Sequence, residues 1–136
     1  MLKVITHICF ALVMLVFLVS CVEAPSENVQ LIELHYFYDG LCSSCNHLSL
    51  FHDLLSEVLA DVRQEHPYTV VAHNAFSTAG RSVGKDFFSY LGLGEDFLHT
   101  APLPILVING EVFYGNEAIR SNLRSAYLIA VEKNSP

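Results

Sequence analysis

What the sequence lacks limits its function before any motif is considered. The 136 residues include no tryptophan, and only 7 lysines and arginines stand against 14 aspartates and glutamates, for a net charge of −7 with histidine neutral. A nucleic-acid-binding surface needs a concentration of basic residues, which this composition does not supply. The sequence also contains no serine triad, phosphate-binding loop or paired-carboxylate motif. We therefore expect no nucleic-acid partner and look for the chemistry elsewhere.

Long apolar segments are scarce as well, since one uninterrupted run covers residues 8–19. With 12 residues it is too short to span a bilayer comfortably. It is preceded by Lys3 and followed by Ser20, which is the layout of a secretory signal. Extension to residues 4–22 gives 19 residues, so an uncleaved membrane anchor is the alternative. We predict a signal sequence at residues 1–20.

The end of this segment, Leu18-Val19-Ser20-Cys21, resembles the lipobox of bacterial lipoproteins. In those proteins the signal is removed just before the cysteine, which is then lipidated. The resemblance implies a lipid anchor on Cys21, a polar tether at residues 21–30, and a location in the periplasm or at the cell surface. Ordinary cleavage after Ala24 would give a secreted protein instead, with Pro25 in a position that signal peptidases tolerate poorly.

Cysteine is sparse too, with four residues in the whole chain. Cys9 falls in the predicted signal and Cys21 in the lipobox. This leaves Cys42 and Cys45 as the only thiols of the predicted folded domain, residues 31–136. Export places them in a compartment where disulfides persist, so a CxxC pair there can cycle between dithiol and disulfide.

The apolar pattern of the domain predicts alternating strands and helices. Leu31 to Tyr38 is apolar on both faces apart from Glu33 and His35, which is typical of a central strand. The predicted elements are a strand at 31–38, a helix from 45 to about 65, a strand at 68–76, a short helix within 77–100 with a further turn at 95–98, strands at 104–108 and 111–114 joined by Asn109-Gly110, and a final helix capped by Asn116 and extending through Val131. The domain is thus α/β, in the order β-α-β-α-β-β-α.

The CxxC pair lies where the first predicted strand gives way to the first predicted helix. A thiol at the first turn of a helix faces unpaired backbone N–H groups and the positive end of the helix dipole, which stabilise the thiolate. An ordinary cysteine pKa of about 8.5 leaves only a few per cent ionised near neutrality. The placement therefore predicts a reactive sulfur at Cys42, with Cys45 about one helical turn further along.

This element order resembles the thioredoxin superfamily in its minimal, glutaredoxin-sized form, over Leu31 to about Lys133. The matched features are the position of the CxxC, a proline that opens the third strand, and the strand-Asn-Gly-strand-helix ending. The resemblance implies a central mixed four-stranded sheet flanked by helices. It also implies that Cys42 and Cys45 form a redox-active disulfide, in which Cys42 attacks substrate and Cys45 resolves the mixed disulfide.

The resemblance also implies a substrate-docking segment. Pro104 corresponds to the cis-proline that lies opposite the CxxC in this superfamily, and Leu103 to the residue whose backbone pairs with an extended substrate. Pro102 competes for the role of cis-proline. We favour Pro104 because strand residues follow it immediately, while two trans prolines that merely start a strand remain the alternative.

Two departures from thioredoxin itself concern proton transfer. Leu41 stands where a tryptophan usually precedes the first cysteine, and Tyr36 replaces a buried acid that assists the resolving thiol. Glu33, His35 or His47 could substitute for that acid. The other histidines, His73 among them, have no partner at catalytic spacing and are expected to have no role.

The sequence therefore predicts an extracytoplasmic thiol-disulfide oxidoreductase that needs no organic cofactor. Its partners would be protein thiols and disulfides and an upstream redox protein, with the direction of electron flow left open. One alternative is zinc or copper(I) binding by Cys42, Cys45 and His47, with His35 or His52 nearby. No second CxxC or HxxxH is present to complete a structural zinc site. The other alternative is a non-catalytic binding lipoprotein with a structural disulfide.

Overall fold

The computed structural model describes residues 31–41 and 45–134. The strands are β1 (Ile32–Tyr38), β2 (Tyr68–Asn74), β3 (Ile105–Ile108) and β4 (Glu111–Tyr114), and the helices are α1 (His47–Val58), α2 (Thr78–Tyr90), α3 (Phe97–Thr100) and α4 (Asn116–Asn134). This is the predicted order, with the expected turn near residue 95 realised as the short helix α3. Among the described residues, no helix combines the length and apolar character needed to cross a bilayer. The predicted signal, Cys21 and the tether at 21–30 lie outside these residues.

The strands form a mixed four-stranded sheet in the order β2-β1-β3-β4. Strand β1 runs parallel to β2 and antiparallel to β3, and β3 is antiparallel to β4. The two central strands are therefore β1 and β3, and every residue of β3 is buried, as expected for a strand covered on both faces. The prediction of an α/β domain with a mixed four-stranded sheet flanked by helices is confirmed.

Side chains alternate across β1, so each face of the sheet has its own apolar core. On one face, Ile32 and Tyr36 pack with apolar residues of α1 and α4. On the other face, Phe37 packs with Phe88 of α2 and Leu98 of α3. The sheet thus lies between a layer formed by α1 and α4 and a layer formed by α2 and α3.

Helix α1 is shorter than the predicted helix at 45–65. It begins at His47 and ends at Val58, because the backbone at Leu59 turns to φ −110° and ψ 13°. The Val58 carbonyl accepts a hydrogen bond from Arg124 of α4, at 3.0 Å, which satisfies one of the free carbonyls at the helix end. Leu59 is nevertheless fully buried. The helical spacing of apolar residues therefore continues past the end of the helix, which is why the predicted helix was too long.

Helix α2 forms despite two internal glycines, which obscured it in the sequence. Ser77 caps it, with its Oγ accepting from the Gly80 N–H at 2.9 Å. A Cβ on Gly80 would lie 1.8 Å from the Asn74 carbonyl oxygen, and a Cβ on Gly84 would lie 2.4 Å from Leu98 Cδ2. Close packing therefore requires glycine at both positions, at some cost in intrinsic helix propensity.

Helix α4 begins at Asn116 itself, so the prediction that Asn116 caps it was one residue late. The first helical hydrogen bond runs from the Ile119 N–H to the Gly115 carbonyl, at 3.1 Å. Gly115 has a positive φ of 80°, which glycine adopts readily. This turn lets the chain leave the edge strand β4 and pack α4 against the same sheet face as α1.

Candidate active site at the carboxyl end of β1

The chain leaves the sheet at the end of β1 through a tight, polar turn. The Leu41 N–H donates to Asp39 Oδ1 at 2.8 Å. Gly40 packs so closely on the end of β2 that a Cβ there would lie 2.1 Å from Asn74 Nδ2. The residues that lead into the CxxC are therefore held against the neighbouring parallel strand.

Cys45 lies two residues before α1, where it is exposed and disulfide-bonded. The helix begins two residues after Cys45, so the prediction that the helix starts at Cys45 was wrong, and the side chain of Asn46, at the N-cap position, makes no capping hydrogen bond. The first-turn N–H groups of α1 are thus not satisfied by that side chain, and their dipole points toward Cys45. Cys42 lies outside the described residues, so its role as the attacking sulfur stays a prediction.

The peptide bond between Leu103 and Pro104 is cis. This confirms the choice of Pro104 over Pro102 as the cis-proline. Pro104 is buried, Leu103 is half-buried and Pro102 is exposed. The Pro104 carbonyl accepts from the Gly115 N–H at 2.7 Å, which ties the segment to the start of α4.

Strand register places this proline at the end of the sheet where β1 stops and the chain continues toward Cys45. Strand β3 is antiparallel to β1, with Ile105 opposite Phe37. Pro104 therefore lies beside the last residue of β1, Tyr38, just before the chain turns toward Cys45. The sheet brings together the two segments that the sequence singled out, although they are separated by more than half of the domain. The role of Leu103 and Pro104 in binding substrate stays a prediction.

Tyr36, which replaces the expected acid, is buried on the α1 side of the sheet. Its ring lies flat against Phe51 of α1, with 3.9 Å between ring centroids and an angle of 1° between planes. Burial raises the pKa of Tyr36 to about 12, so the phenol stays neutral near pH 7. It can donate a hydrogen bond, but it cannot take a proton as a carboxylate would.

Two of the three residues considered as substitutes for the acid lie on the other side of the sheet. Glu33 and His35 alternate with Tyr36 along β1 and face the α2 layer. His35 Nε2 is 3.2 Å from Glu33 Oε2, and His35 Nδ1 is 3.4 Å from His73 Nε2. His47, the first residue of α1, lines a pocket together with Tyr36. Of the three, His47 is therefore the one positioned on the side of the sheet that carries α1.

The contact between His35 and His73 contradicts the expectation that His73 has no partner. Their rings are parallel within 2°, with centroids 5.7 Å apart. The register of β1 and β2 pairs His35 with Val71 and Phe37 with His73, so the two histidines are diagonal neighbours. Burial, and secondarily the neighbouring His35, lower the pKa of His73. The sequence did place His35 and His73 on two predicted strands, but it did not give the strand pairing and register that bring them together.

Within residues 31–41 and 45–134, no three histidine, cysteine, aspartate or glutamate side chains are grouped to hold a metal ion. His35 is engaged with Glu33 and His73, and His52 is exposed on α1. The zinc or copper(I) alternative depends on Cys42, which lies outside the described residues, and it stays a hypothesis.

Comparison of the chain with protein-family models, with curated proteins and with solved structures finds no match in any of the three. Function is therefore argued from the geometry and chemistry of this site.

Proposed function

We propose that the protein is an extracytoplasmic thiol-disulfide oxidoreductase with a thioredoxin-like domain and a Cys42–Cys45 redox couple. The observation that carries the proposal is the strand register, which sets Leu103–Pro104 beside the end of β1, where the chain leaves the sheet and runs through Cys45 into α1. The mixed order β2-β1-β3-β4 supports it as well. An exposed, disulfide-bonded cysteine between β1 and a helix, with the Leu103–Pro104 segment beside the end of β1, fits the arrangement that the resemblance implies.

In the reductive direction the reaction has two exchange steps. The Cys42 thiolate attacks one sulfur of a substrate disulfide, forms a mixed disulfide and releases the other substrate sulfur as a thiolate, which takes up a proton. Cys45, after loss of its proton, then attacks the Cys42 sulfur, forms the Cys42–Cys45 disulfide and releases the second substrate thiol. Two electrons pass from the dithiol to the substrate, and the reverse sequence oxidises a substrate dithiol.

Helix α1 supplies the electrostatic part of this mechanism. With 12 residues it is long enough for its N-terminal N–H groups to carry about half a positive charge. Thiolate is favoured over thiol near such a helix start, which makes the first cysteine a better nucleophile at neutral pH. The neutral phenol of Tyr36 gives no carboxylate to deprotonate Cys45. His47 is the nearest candidate in the sequence, two residues further on.

Substrate binding in this proposal uses the backbone next to Pro104. Proline has no N–H, and the Pro104 carbonyl already accepts from Gly115. This leaves Leu103 as the residue that would pair with an extended substrate segment, in the manner of an added strand.

The proposal is tested by the reduction potential of the couple together with a trapping variant. A glutathione titration should give one two-electron transition, near −120 mV for a disulfide donor or near −270 mV for a reductase. Cys45→Ser should accumulate mixed disulfides with protein partners, because the resolving step is lost, and Cys42→Ser should not. The proposal fails if Cys45→Ser captures no partner and the alkylation of Cys42 follows the pH dependence of a free cysteine. Stoichiometric zinc or copper after reducing purification, together with that failure, would favour the metal-binding alternative.

We also propose that a lipid on Cys21 anchors the domain at the membrane through the tether at residues 21–30. The support is the lipobox-like segment at residues 18–21. The mass of the wild-type N-terminal peptide should include a diacylglyceryl group, and Cys21→Ser, which has no thiol to modify, should lack it. A wild-type protein cleaved after Ala24 would contradict the anchor and leave a secreted enzyme.

A further inference from the structure

A pocket of about 290 Å³ opens between α1 and α4, on the sheet face that carries Tyr36. Its wall includes His47, which lies two residues after Cys45, so the pocket adjoins the proposed redox site. It also includes Asn116 and Arg120 from the first turns of α4. The steps proposed above use this pocket only through His47, the candidate base for Cys45.

Each polar side chain of this pocket can donate a hydrogen bond, and that of Arg120 carries a fixed positive charge. Tyr36, His47, Asn116 and Arg120 line it, and within the described residues no aspartate or glutamate does, although acids outnumber lysines and arginines 14 to 7 in the chain. The phenol of Tyr36 keeps its proton, because burial raises its pKa to about 12. Such a lining suits an anionic oxygen better than a cation or an amine.

The rest of the wall is apolar and partly open. Phe51 and Ile119 form its buried base, and the Phe51 ring is held flat against Tyr36. Leu50 lies beside them and is 66% exposed. An apolar group placed against Leu50 would remove part of this exposed surface from water, at about 25 cal/mol for each Å² buried.

Arg120 is held only weakly by its present partner. Its Nη1 lies 3.5 Å from both Oε1 and Oε2 of Glu57, in an exposed pair. By contrast, Arg124 makes two bonds of 2.7 Å to Asp61. Exposed pairs with long contacts contribute little to stability, so Arg120 can exchange Glu57 for another carboxylate at small cost. A guanidinium binds a carboxylate best through two parallel hydrogen bonds.

We propose that this pocket recognises an acidic residue next to an aromatic or aliphatic residue in the substrate protein, close to its reacting disulfide. Arg120, with help from Asn116, would bind the carboxylate, while Leu50 and Phe51 would hold the neighbouring apolar side chain. The pocket is smaller than a typical small-molecule site, which suits two side chains of a segment that continues toward Cys45. The inference rests on the proposed function, because it names the class of substrate.

The test uses cysteine-free probes and the oxidised full chain in detergent micelles, followed by amide chemical shifts. The probes are the blocked peptide Ala-Phe-Glu-Ala, its match Ala-Phe-Gln-Ala, and 3-phenylpropionate. We expect the glutamate peptide to shift the amides of His47, Asn116 and Arg120, and to bind at least about tenfold more tightly than the glutamine peptide, the ratio expected for one charge-assisted pair. Equal binding of the two peptides, or shifts confined to another surface, would overturn the proposal.

Three variants separate the pocket from general charge effects. Arg120→Gln should weaken the glutamate peptide about tenfold, and Glu57→Gln should tighten it by freeing Arg120. Arg63→Gln removes an equal charge from the exposed turn after α1 and should leave binding unchanged. Equal effects of Arg120→Gln and Arg63→Gln would overturn the assignment to the pocket. Binding of 3-phenylpropionate as tight as that of the peptide would overturn the assignment to a protein substrate.

These measurements do not depend on redox activity, because the probes lack sulfur and the couple stays oxidised. Peptide binding with no captured partner for Cys45→Ser would contradict the oxidoreductase alone. Captured partners without peptide binding would contradict the pocket alone.

Discussion

The ring of Tyr36 in β1 lies parallel to the ring of Phe51 in α1, 3.9 Å away between centroids. This contact joins the strand that leads into the CxxC to the helix that follows it. Both side chains are 3% exposed. This stacked pair of aromatic rings in the core holds the N-terminal half of α1 against β1.

Phe51→Ala should lower the free energy of unfolding by about 3–5 kcal/mol, because it removes a buried ring and leaves a cavity against Tyr36. Urea denaturation followed by circular dichroism measures this change. Leu50→Ala, at the adjacent and exposed position of α1, should change the free energy of unfolding by less than about 0.5 kcal/mol. Similar losses for the two variants would contradict the packing described for Phe51.

The ion pair between Asp61 and Arg124 should make stability depend on pH in acid. Hydrogen bonding to Arg124 holds the pKa of Asp61 down to about 2, from an ordinary 3.8. Between these values the unfolded chain binds more protons than the folded one, so this contribution is complete above pH 3.8 and is lost as the pH falls toward 2. The carboxyl carbon resonance of Asp61 should titrate near pH 2. Arg124→Gln should return the pKa of Asp61 toward 3.8 and make the free energy of unfolding depend less on pH between pH 2 and 4. Arg63→Gln should change neither quantity.

The half-buried position of His73 should make the domain less stable below about pH 6.5. Its pKa is lowered, first by burial and then by His35, and its ring also stacks on Phe37 with 4.6 Å between centroids. A depressed histidine pKa means that the unfolded chain takes up the proton first, so the contribution of this group is complete above 6.5 and is lost as the pH falls through the folded value. Urea denaturation between pH 5 and 8 should show this loss.

His73→Gln should reduce the slope of stability over that pH range, because it removes the group that titrates. His52→Gln, at an exposed position of α1, is the matched control and should preserve the slope. An imidazole titration of His73 at or above pH 6.5 would refute the explanation.

Gly80→Ala should destabilise the domain even though alanine is the better helix former. A Cβ at this position would lie 1.8 Å from the Asn74 carbonyl oxygen, which belongs to the backbone and cannot rotate away. Such overpacking costs about 1–3 kcal/mol, more than the ~1 kcal/mol gained in helix propensity. Ser82→Ala, exposed on the same helix, should be neutral or slightly stabilising in thermal unfolding. A raised melting temperature for Gly80→Ala would show that the approach of α2 to β2 is looser than described.

The order of elements could be predicted because each carries a local signal. The strands β1 and β3 are apolar on both faces, the Asn109-Gly110 pair marks the hairpin, and the apolar period marks α1 and α4. Boundaries were less certain, as with α1, which ends at Val58 although Leu59 and the apolar pattern continue beyond it. Helix α2 was hard to predict because it contains glycines, which disfavour a helix. The reason for these glycines is close packing against Asn74 and Leu98, which the sequence does not show.

The candidate site was predictable in its parts and not in its assembly. The spacing of Cys42 and Cys45 and the strand residues after Pro104 can be read directly from the chain. The sequence could not show that β3 pairs with β1 so that Pro104 lies beside Tyr38, nor that His35 meets His73 across β1 and β2. The pocket lined by Tyr36, His47 and Arg120 could not be predicted from the sequence either, because these residues belong to three different elements.

The amino-acid sequence by itself determined the α/β class and the place of Cys45 between a strand and a helix, because these follow from local periodicity and spacing. Only the tertiary structure decided which face of β1 each polar side chain occupies and which distant residues meet there. The physical reason is that strand register and helix packing minimise exposed apolar area over the whole chain. A contact between residues far apart in sequence therefore depends on the burial of apolar side chains throughout the chain, and not only on the two residues that make the contact.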